Sequence, residues 1–276
     1  MDRRLVFCKF GGSVITDKMR SETARPVALS RLAGEVATAL DKRPGLRLVL
    51  GHGSGSFGHV AAREHGTRYG VRSESDWQGF VHVASVAAHL GQIVTDALLE
   101  AGVPVWSLPP SASARCRGGE LVSMNVSPVA DGLSHGLVPL VRGDVSLDAD
   151  LGGTIVSTEE VFVYLAHKLA PSRLVLVGNL DGVFRGDPLH DPGARHIPHI
   201  SASNWEEVRG QLGASNAPDV TGGMLTKVEQ MVKLAQELPG LVIHLVSGER
   251  PGALETALIG PAQRVGGTTI CWHGSE

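Results

Sequence analysis

Lys9 stands just ahead of Gly11-Gly12-Ser13 at the end of a short apolar run. A second apolar run breaks into Gly51-His52-Gly53-Ser54-Gly55-Ser56-Phe57-Gly58-His59. Glycines after a strand let successive backbone N–H groups approach an anion, and a following helix adds the positive end of its dipole. Both segments therefore read as anion cradles. The first lacks the G-x-x-x-x-G-K-[ST] spacing of a P-loop, because its lysine precedes the glycines and Lys18 follows them, which disfavours that fold.

The second segment contains a literal G-x-G-x-x-G, Gly53-x-Gly55-x-x-Gly58. In a dinucleotide fold a ribose-binding acid closes the next strand about 20 residues on. Glu74 and Asp76 lie near that distance, but among polar residues leading into a helix, so the dinucleotide reading is weak. His52 and His59 invite a metal reading, yet no third ligand has suitable spacing. The other histidines, including His190, His196 and His199, read as solvated.

These groups need a frame that brings both turns to one edge. Residues 5–8 and 46–50 read as buried strands, and residues 27–40 carry the apolar stripe of an amphipathic helix between them. A long helix is expected over 76–100, ending at Ala101-Gly102, then a strand over 103–108. Shorter strands are expected at 137–141, 145–147 and 153–156, followed by a helix over 158–169, a strand over 173–177 and a turn at 179–182. Residues 186–200 are rich in Pro, Gly, His and Asp without hydrophobic period and read as a surface excursion. Asp219-Val220-Thr221-Gly222-Gly223 opens a further helix, and strands at 241–246 and 268–271 close the chain. The alternation predicts a three-layer α/β/α sandwich with a mostly parallel central sheet. One domain over 1–276 is expected, with a change of loop character near residue 170.

The 276 residues are 42% hydrophobic and 19% charged, enough for a sizeable core. A net charge of −3 supplies no basic field for nucleic acid, so partners are expected to be small molecules. Cys8, Cys116 and Cys271 are scattered without C-x-x-C spacing, which suits a reduced, cytoplasmic setting. The first apolar run is too short for a signal peptide, and no run approaches the roughly 18 to 20 apolar residues of a membrane span.

Taken together, Lys9-Phe-Gly-Gly-Ser-Val-Ile-Thr-Asp-Lys18, His52-Gly-Ser-Gly-Ser-Phe-Gly-His59, Gly143-Asp144 and Asp219-Val-Thr-Gly-Gly-Met224 with Lys227 resemble the isopentenyl phosphate kinases of the amino acid kinase superfamily. The likeness spans nearly the whole chain, and its most specific element is the Ser-Phe-Gly-His that ends the second segment. It implies phosphorylation of isopentenyl phosphate by ATP with Mg2+, in a homodimer whose acceptor lobe covers about residues 1–170 and whose nucleotide lobe covers about 171–276.

By that resemblance Lys9 bridges the transferring phosphate, Lys18 stabilises the transition state and Lys227 holds the ATP phosphates. Phe10, Gly11, Gly12, Ser13, Gly55, Asn179, Asp181 and Gly223 line the nucleotide. Ser54, His59, Phe80, Val83 and Thr158 face the acceptor, Phe80 and Val83 along its tail. A phosphate monoester is mostly dianionic at neutral pH and needs no general base, so His59 reads as a donor to it. No carboxylate cluster marks a protein cage for the metal. The chain departs from the family pattern twice. Ser157-Thr158-Glu159-Glu160 replaces Ser-Gly-Asp-Asp, so Glu159 takes the lysine-orienting place, and Gly178-Asn179-Leu180-Asp181-Gly182 replaces Thr-Asp-Val-Asp-Gly. These changes leave open a kinase of another phosphate or phosphonate such as fosfomycin, or a non-catalytic nucleotide sensor.

Overall fold

All six residues of β1 (Leu5–Phe10) are buried, as a central strand covered on both faces requires. The protein is seen in a computed structural model that describes residues 4–186, 188, 191, 193–214 and 223–272. From β1 the chain runs through α1 (Gly12–Ile15), α2 (Pro26–Lys42), β2 (Arg47–His52), α3 (Gly55–His65), α4 (Glu74–Glu100), β3 (Val105–Ser107), β4 (Arg115–Arg117) and β5 (Glu120–Ser123). It continues through α5 (Ser127–Ser134), β6 (Val138–Arg142), β7 (Asp144–Asp148), β8 (Gly152–Val156), α6 (Thr158–Leu169), β9 (Arg173–Gly178), β10 (Val183–Arg185), β11 (Arg195–Ile197) and β12 (His199–Ile200). The last elements are α7 (Trp205–Ala214), α8 (Gly223–Glu237), β13 (Val242–Ser247), α9 (Ala253–Ile259) and β14 (Thr268–Cys271).

The main sheet has eight strands in the order β12-β14-β13-β9-β1-β2-β6-β3. Only the β13–β14 pair is antiparallel. Alternate side chains of each strand feed opposite cores. Val6, Cys8, Leu48 and Leu50 pack with α2, α3, α4 and α9, whereas Phe7, Val49, Leu174 and Ile243 pack with α5, α6, α7 and α8. This is the three-layer α/β/α sandwich expected from the sequence. After β1 the chain moves to one side through β2; β9 then returns to the other flank of β1 and leads on to β13. Such a reversal opens a crevice beyond the carboxyl ends of the strands, where open α/β sheets bind ligands. The sheet is continuous past residue 170, because β9 pairs directly with β1.

Several expectations are corrected. The strands foreseen at 145–147 and 153–156 lie outside the main sheet: β7 and β8 pair antiparallel and join β4 and β5 in a separate four-stranded sheet. Short strands read alike whichever sheet they join, because the pairing partner is remote in sequence. The excursion at 186–200 is partly structured, with β11 antiparallel to β10 and β12 docked parallel on β14. α7 was not foreseen, although Trp205, Val208 and Leu212 are buried at helical spacing. His190 and the 219–222 part of the glycine motif before α8 lie outside the described residues. No helix among the described residues is long and apolar enough to cross a membrane.

Candidate active site

Phe10 of β1 is in register with His52 of β2, so both glycine turns leave neighbouring strands at the same level. Gly53 N donates to Phe10 O at 2.8 Å and Gly11 N to Val177 O at 2.7 Å, tying the turns to the sheet. They also touch each other. A Cβ on Gly12 would lie 2.3 Å from Gly55 N, and one on Gly53 would lie 2.8 Å from Gly12 N. Gly55 has φ +49, and a Cβ there would strike Thr16 Oγ1 at 2.0 Å. That hydroxyl is buried, donates to Gly12 O at 2.7 Å and accepts from Ser56 N at 3.0 Å, so Thr16 pins the second turn to the first.

The segment read as a loop over 51–59 is shorter than expected: β2 runs to His52 and α3 starts at Gly55. Gly58 is therefore helical, and a Cβ on it would meet Ser54 Cβ at 2.6 Å. The dinucleotide pattern loses its context too. Asp76 sits in the first turn of α4, where its Oδ2 accepts from Arg72 N and Ser73 N, both at 2.9 Å, in a capping box with Ser73. Because α1 begins at Gly12 and α3 at Gly55, both turns present first-turn N–H groups that no preceding helical turn can accept from.

Lys9 Nζ reaches Glu159 Oε1 at 2.7 Å, with only 9% and 12% of the two side chains exposed. The same ammonium lies 3.4 Å from the Cβ position of Gly53, so it sits against the second turn. Burial would push the Glu159 carboxyl up, but the Lys9 charge, its hydrogen bond and the Lys227 charge hold it below the usual carboxylate range. The extra methylene of Glu159 is thus accommodated. The neighbouring Glu160 has a different task, closing a capping box with Ser157 and pairing with Arg68 at 2.8 Å. Lys227 is an exposed residue of α8. Lys18 is exposed on the loop between Thr16 and Ala24, which form an isolated bridge, and makes no hydrogen bond or ion pair to a described residue.

Ser54 is the half-buried N-cap of α3, and His59 is exposed one turn into that helix. Phe80 is half-buried, stacks edge-on with Trp77 at 5.2 Å and covers Gly153, whose Cβ position is 3.0 Å from its ring. The structure gives Val83 and Phe10 to the core, where they are 3% and 1% exposed. Phe10 therefore offers a ligand no side chain. The Thr158 hydroxyl is committed to His52 O at 2.6 Å. On the far side of β1, Ser13 follows Gly12 in α1, Asn179 is exposed in the turn after β9, and Gly223 opens α8. Asp181 pairs with Arg250 at 2.6 Å and accepts from Ser247 N at 3.3 Å.

Sequence reasoning missed three buried groups beneath the turns. His52 is buried, and desolvation pushes its pKa down to about 3, with Arg142 and Lys9 adding to the fall, so the ring is neutral. Its Nε2 has no hydrogen-bond partner among the described residues. Arg142, paired in register with His52, is buried against Gly91 of α4 and lies 3.3 Å from Asp144, which also accepts from Ser111 Oγ at 2.9 Å. Thr16 gave no signal either, because Ser56 N meets its hydroxyl only in the fold. Among the described residues, His52 and His59 belong to no cluster with metal-ligand spacing.

A model of the amino acid kinase family matches residues 4–246 of the chain. The chain is similar to the isopentenyl phosphate kinase of Methanothermobacter thermautotrophicus, 34% identical over 96% of this chain and 98% of that protein. It is also similar to the isopentenyl phosphate kinase of Haloferax volcanii, 37% identical over 91% of this chain and 98% of that protein. Among solved structures, an isopentenyl phosphate kinase superposes with a TM-score of 0.80 at 31% identity, covering 96% of this chain and 99% of the other. The T. acidophilum isopentenyl phosphate kinase, solved as a product complex, superposes with a TM-score of 0.78 at 28% identity and the same coverage.

Proposed function

The chain belongs to the amino acid kinase family, among its isopentenyl phosphate kinases, and from that membership we propose how its residues carry the reaction. The enzyme phosphorylates isopentenyl phosphate with ATP, giving isopentenyl diphosphate and ADP for isoprenoid biosynthesis. An oxygen of the acceptor phosphate attacks the γ-phosphorus, the bond to the β-bridging oxygen breaks, and the charge leaves on ADP. The acceptor is already an anionic nucleophile at neutral pH, so the protein's task is alignment and charge neutralisation.

Lys9 stands where the two turns meet, and Glu159 keeps its ammonium charged and aimed. The backbone of Gly11, Gly12 and Ser13 holds the transferring phosphate. Ser54 and Gly55, at the start of α3, hold the acceptor phosphate with His59 as a donor. Lys18 reaches in from its loop, and Lys227 binds the ATP phosphates from α8. The acceptor lies on the side of β2, α3 and α4, with Phe80 along its tail and Val83 behind it. The nucleotide lies on the side of β9 and α8, near Asn179, Asp181 and Gly223.

Mg2+ would be held by the nucleotide's phosphates. Glu159, Asp181 and Asp144 are already paired with Lys9, Arg250 and Arg142, which suits a metal held by ATP and water better than a protein cage. The ion neutralises charge on the β- and γ-phosphates when bound. A homodimer and a cytoplasmic setting belong to the same proposal, the latter consistent with three buried, unpaired cysteines.

The observation that carries this reading is the buried Lys9–Glu159 pair set between two touching glycine turns. Purified protein incubated with ATP, Mg2+ and isopentenyl phosphate should give the phosphorus resonances of isopentenyl diphosphate and ADP. Inertness toward isopentenyl phosphate, with turnover of fosfomycin or an amino acid, would overturn the acceptor.

A further inference from the structure

Away from the phosphate turns, the last turn of α3 meets the third turn of α4 at Glu64, His65 and His82. His65 Nε2 lies 2.9 Å from His82 Nδ1, the rings crossing at 78° with centroids 5.2 Å apart. With a carboxylate oxygen of Glu64, the three ligand atoms all fall within 4.8 Å of one another. The approach has a structural cause. Gly79 of α4 lies under His65, and a Cβ there would meet His65 Cβ and Cγ at 2.6 Å. Gly66, at φ 61, ends α3 directly after His65 and fixes the direction of that last turn.

Two imidazole nitrogens that face each other either share one proton or turn both lone pairs to one cation. Here a carboxylate oxygen of Glu64 lies within 4.8 Å of both nitrogens, which adds the charge a cation needs and a lone hydrogen bond does not. The donor set is two nitrogens and one oxygen. That set suits a borderline divalent ion such as Zn2+, Co2+ or Ni2+, and imidazole disfavours Mg2+ or Ca2+. Neighbouring ligands in a tetrahedral zinc site stand about 3.3 Å apart, given bonds of about 2.0–2.1 Å. The rings need open by only about 0.4 Å from the 2.9 Å observed, and Glu64 and His82 are exposed side chains with room to do so.

We propose that Glu64, His65 and His82 form a divalent transition-metal site, with water in the remaining position, that clips the end of α3 to α4. The site shares no residue with those assigned to phosphoryl transfer. Its effect is on the frame, since α3 carries His59 and α4 carries Phe80, and a metal bridge fixes the spacing between these two helices. The ion is thus distinct from the Mg2+ that travels with ATP, and binding is expected in the absence of nucleotide.

The test uses full-length, tag-free protein, because an oligohistidine tag would compete. Titration with Co2+ should give a visible d–d band saturating at one ion per chain, unaffected by excess Mg2+, and Zn2+ should displace it. Zn2+ should raise the thermal midpoint of the wild type. His82→Ala and His65→Ala should each weaken Co2+ binding by more than about 100-fold, beyond the roughly 10- to 100-fold that loss of an outer-shell partner typically costs, and should abolish the thermal shift. Glu64→Gln should give a smaller loss. Circular dichroism and turnover without added transition metal should match the wild type in His82→Ala, establishing that it folds. The proposal is overturned if the wild type takes up no Co2+ at micromolar concentration. It is equally overturned if the His65→Ala/His82→Ala double variant binds Co2+ as tightly as the wild type, since one of the other histidines would then be responsible.

Discussion

Replacing Gly12 by alanine puts one methyl group between the two phosphate turns. The added Cβ lies 2.3 Å from Gly55 N and 2.6 Å from Gly55 Cα, both backbone atoms that no side-chain rotation can remove. Comfortable carbon contacts begin near 3.5 Å, so the turns must part by about 1 Å. A misplacement of about 1 Å in a reacting geometry costs about 100-fold in rate, or about 2.7 kcal/mol of transition-state stabilisation. Gly12→Ala should therefore lower kcat/KM for isopentenyl phosphate and for ATP alike, because in the proposed mechanism the displaced turns hold one phosphate each. Gly34→Ala is the control. A Cβ on Gly34, inside α2, would meet nothing within 4 Å, and alanine in a helix is favoured over glycine by up to about 1 kcal/mol. That variant should keep wild-type kinetics and unfold at equal or higher urea. Steady-state kinetics with both substrates and urea unfolding of both variants decide the matter. A folded Gly12→Ala enzyme with wild-type kcat/KM would refute the reasoning, because the turns would then not need their contact.

His59→Ala should raise the KM for isopentenyl phosphate or lower the corresponding kcat/KM by about 10- to 100-fold, the worth of a charge-assisted hydrogen bond, with little change in the KM for ATP. Equal loss on both substrates would remove His59 from the acceptor side. Glu159→Ala strands a buried lysine and should cost about 3–5 kcal/mol of unfolding free energy, part of it restored in Lys9→Met/Glu159→Ala. A loss no larger than that of an exposed pair would contradict the buried geometry. His52 has a folded pKa depressed to about 3, against 6.5 unfolded, so below pH 6.5 the unfolded chain binds the extra proton and stability falls with pH. Between pH 7 and pH 5 the loss is about 2 kcal/mol, and His52→Gln should lack it in paired urea titrations, whereas an unchanged acid slope would place the titration elsewhere.

The parts of the site readable in advance were those with local causes. Lys9-x-Gly11-Gly12 and the glycines up to Gly58 announce backbone that must come close to something, and apolar runs before them announce the strands. Glu159 entered through a likeness of neighbouring residues, and the fold places it on Lys9 at 2.7 Å, across 150 positions of sequence. Thr16, Arg142 and the neutral state of His52 had no such signal. A threonine four residues after a glycine is ordinary, and its hydroxyl matters only because Ser56 N arrives 3.0 Å away. The histidine is ordinary too until β1, β6 and α6 enclose it.

The sequence by itself determined the long strands and helices of the main sheet and its layers, where the first two strands break into glycine, and which charged side chains flank those breaks, but not the short β4, β5 and β10–β12 or α7. Hydrophobic period and turn chemistry are local, so they survive in one dimension. Only the tertiary structure decided that the two turns touch, that β7 and β8 leave the main sheet, and that Lys9 is buried against a carboxylate. Those outcomes rest on strand order, register and exclusion of water, which arise from contacts between residues far apart in the chain.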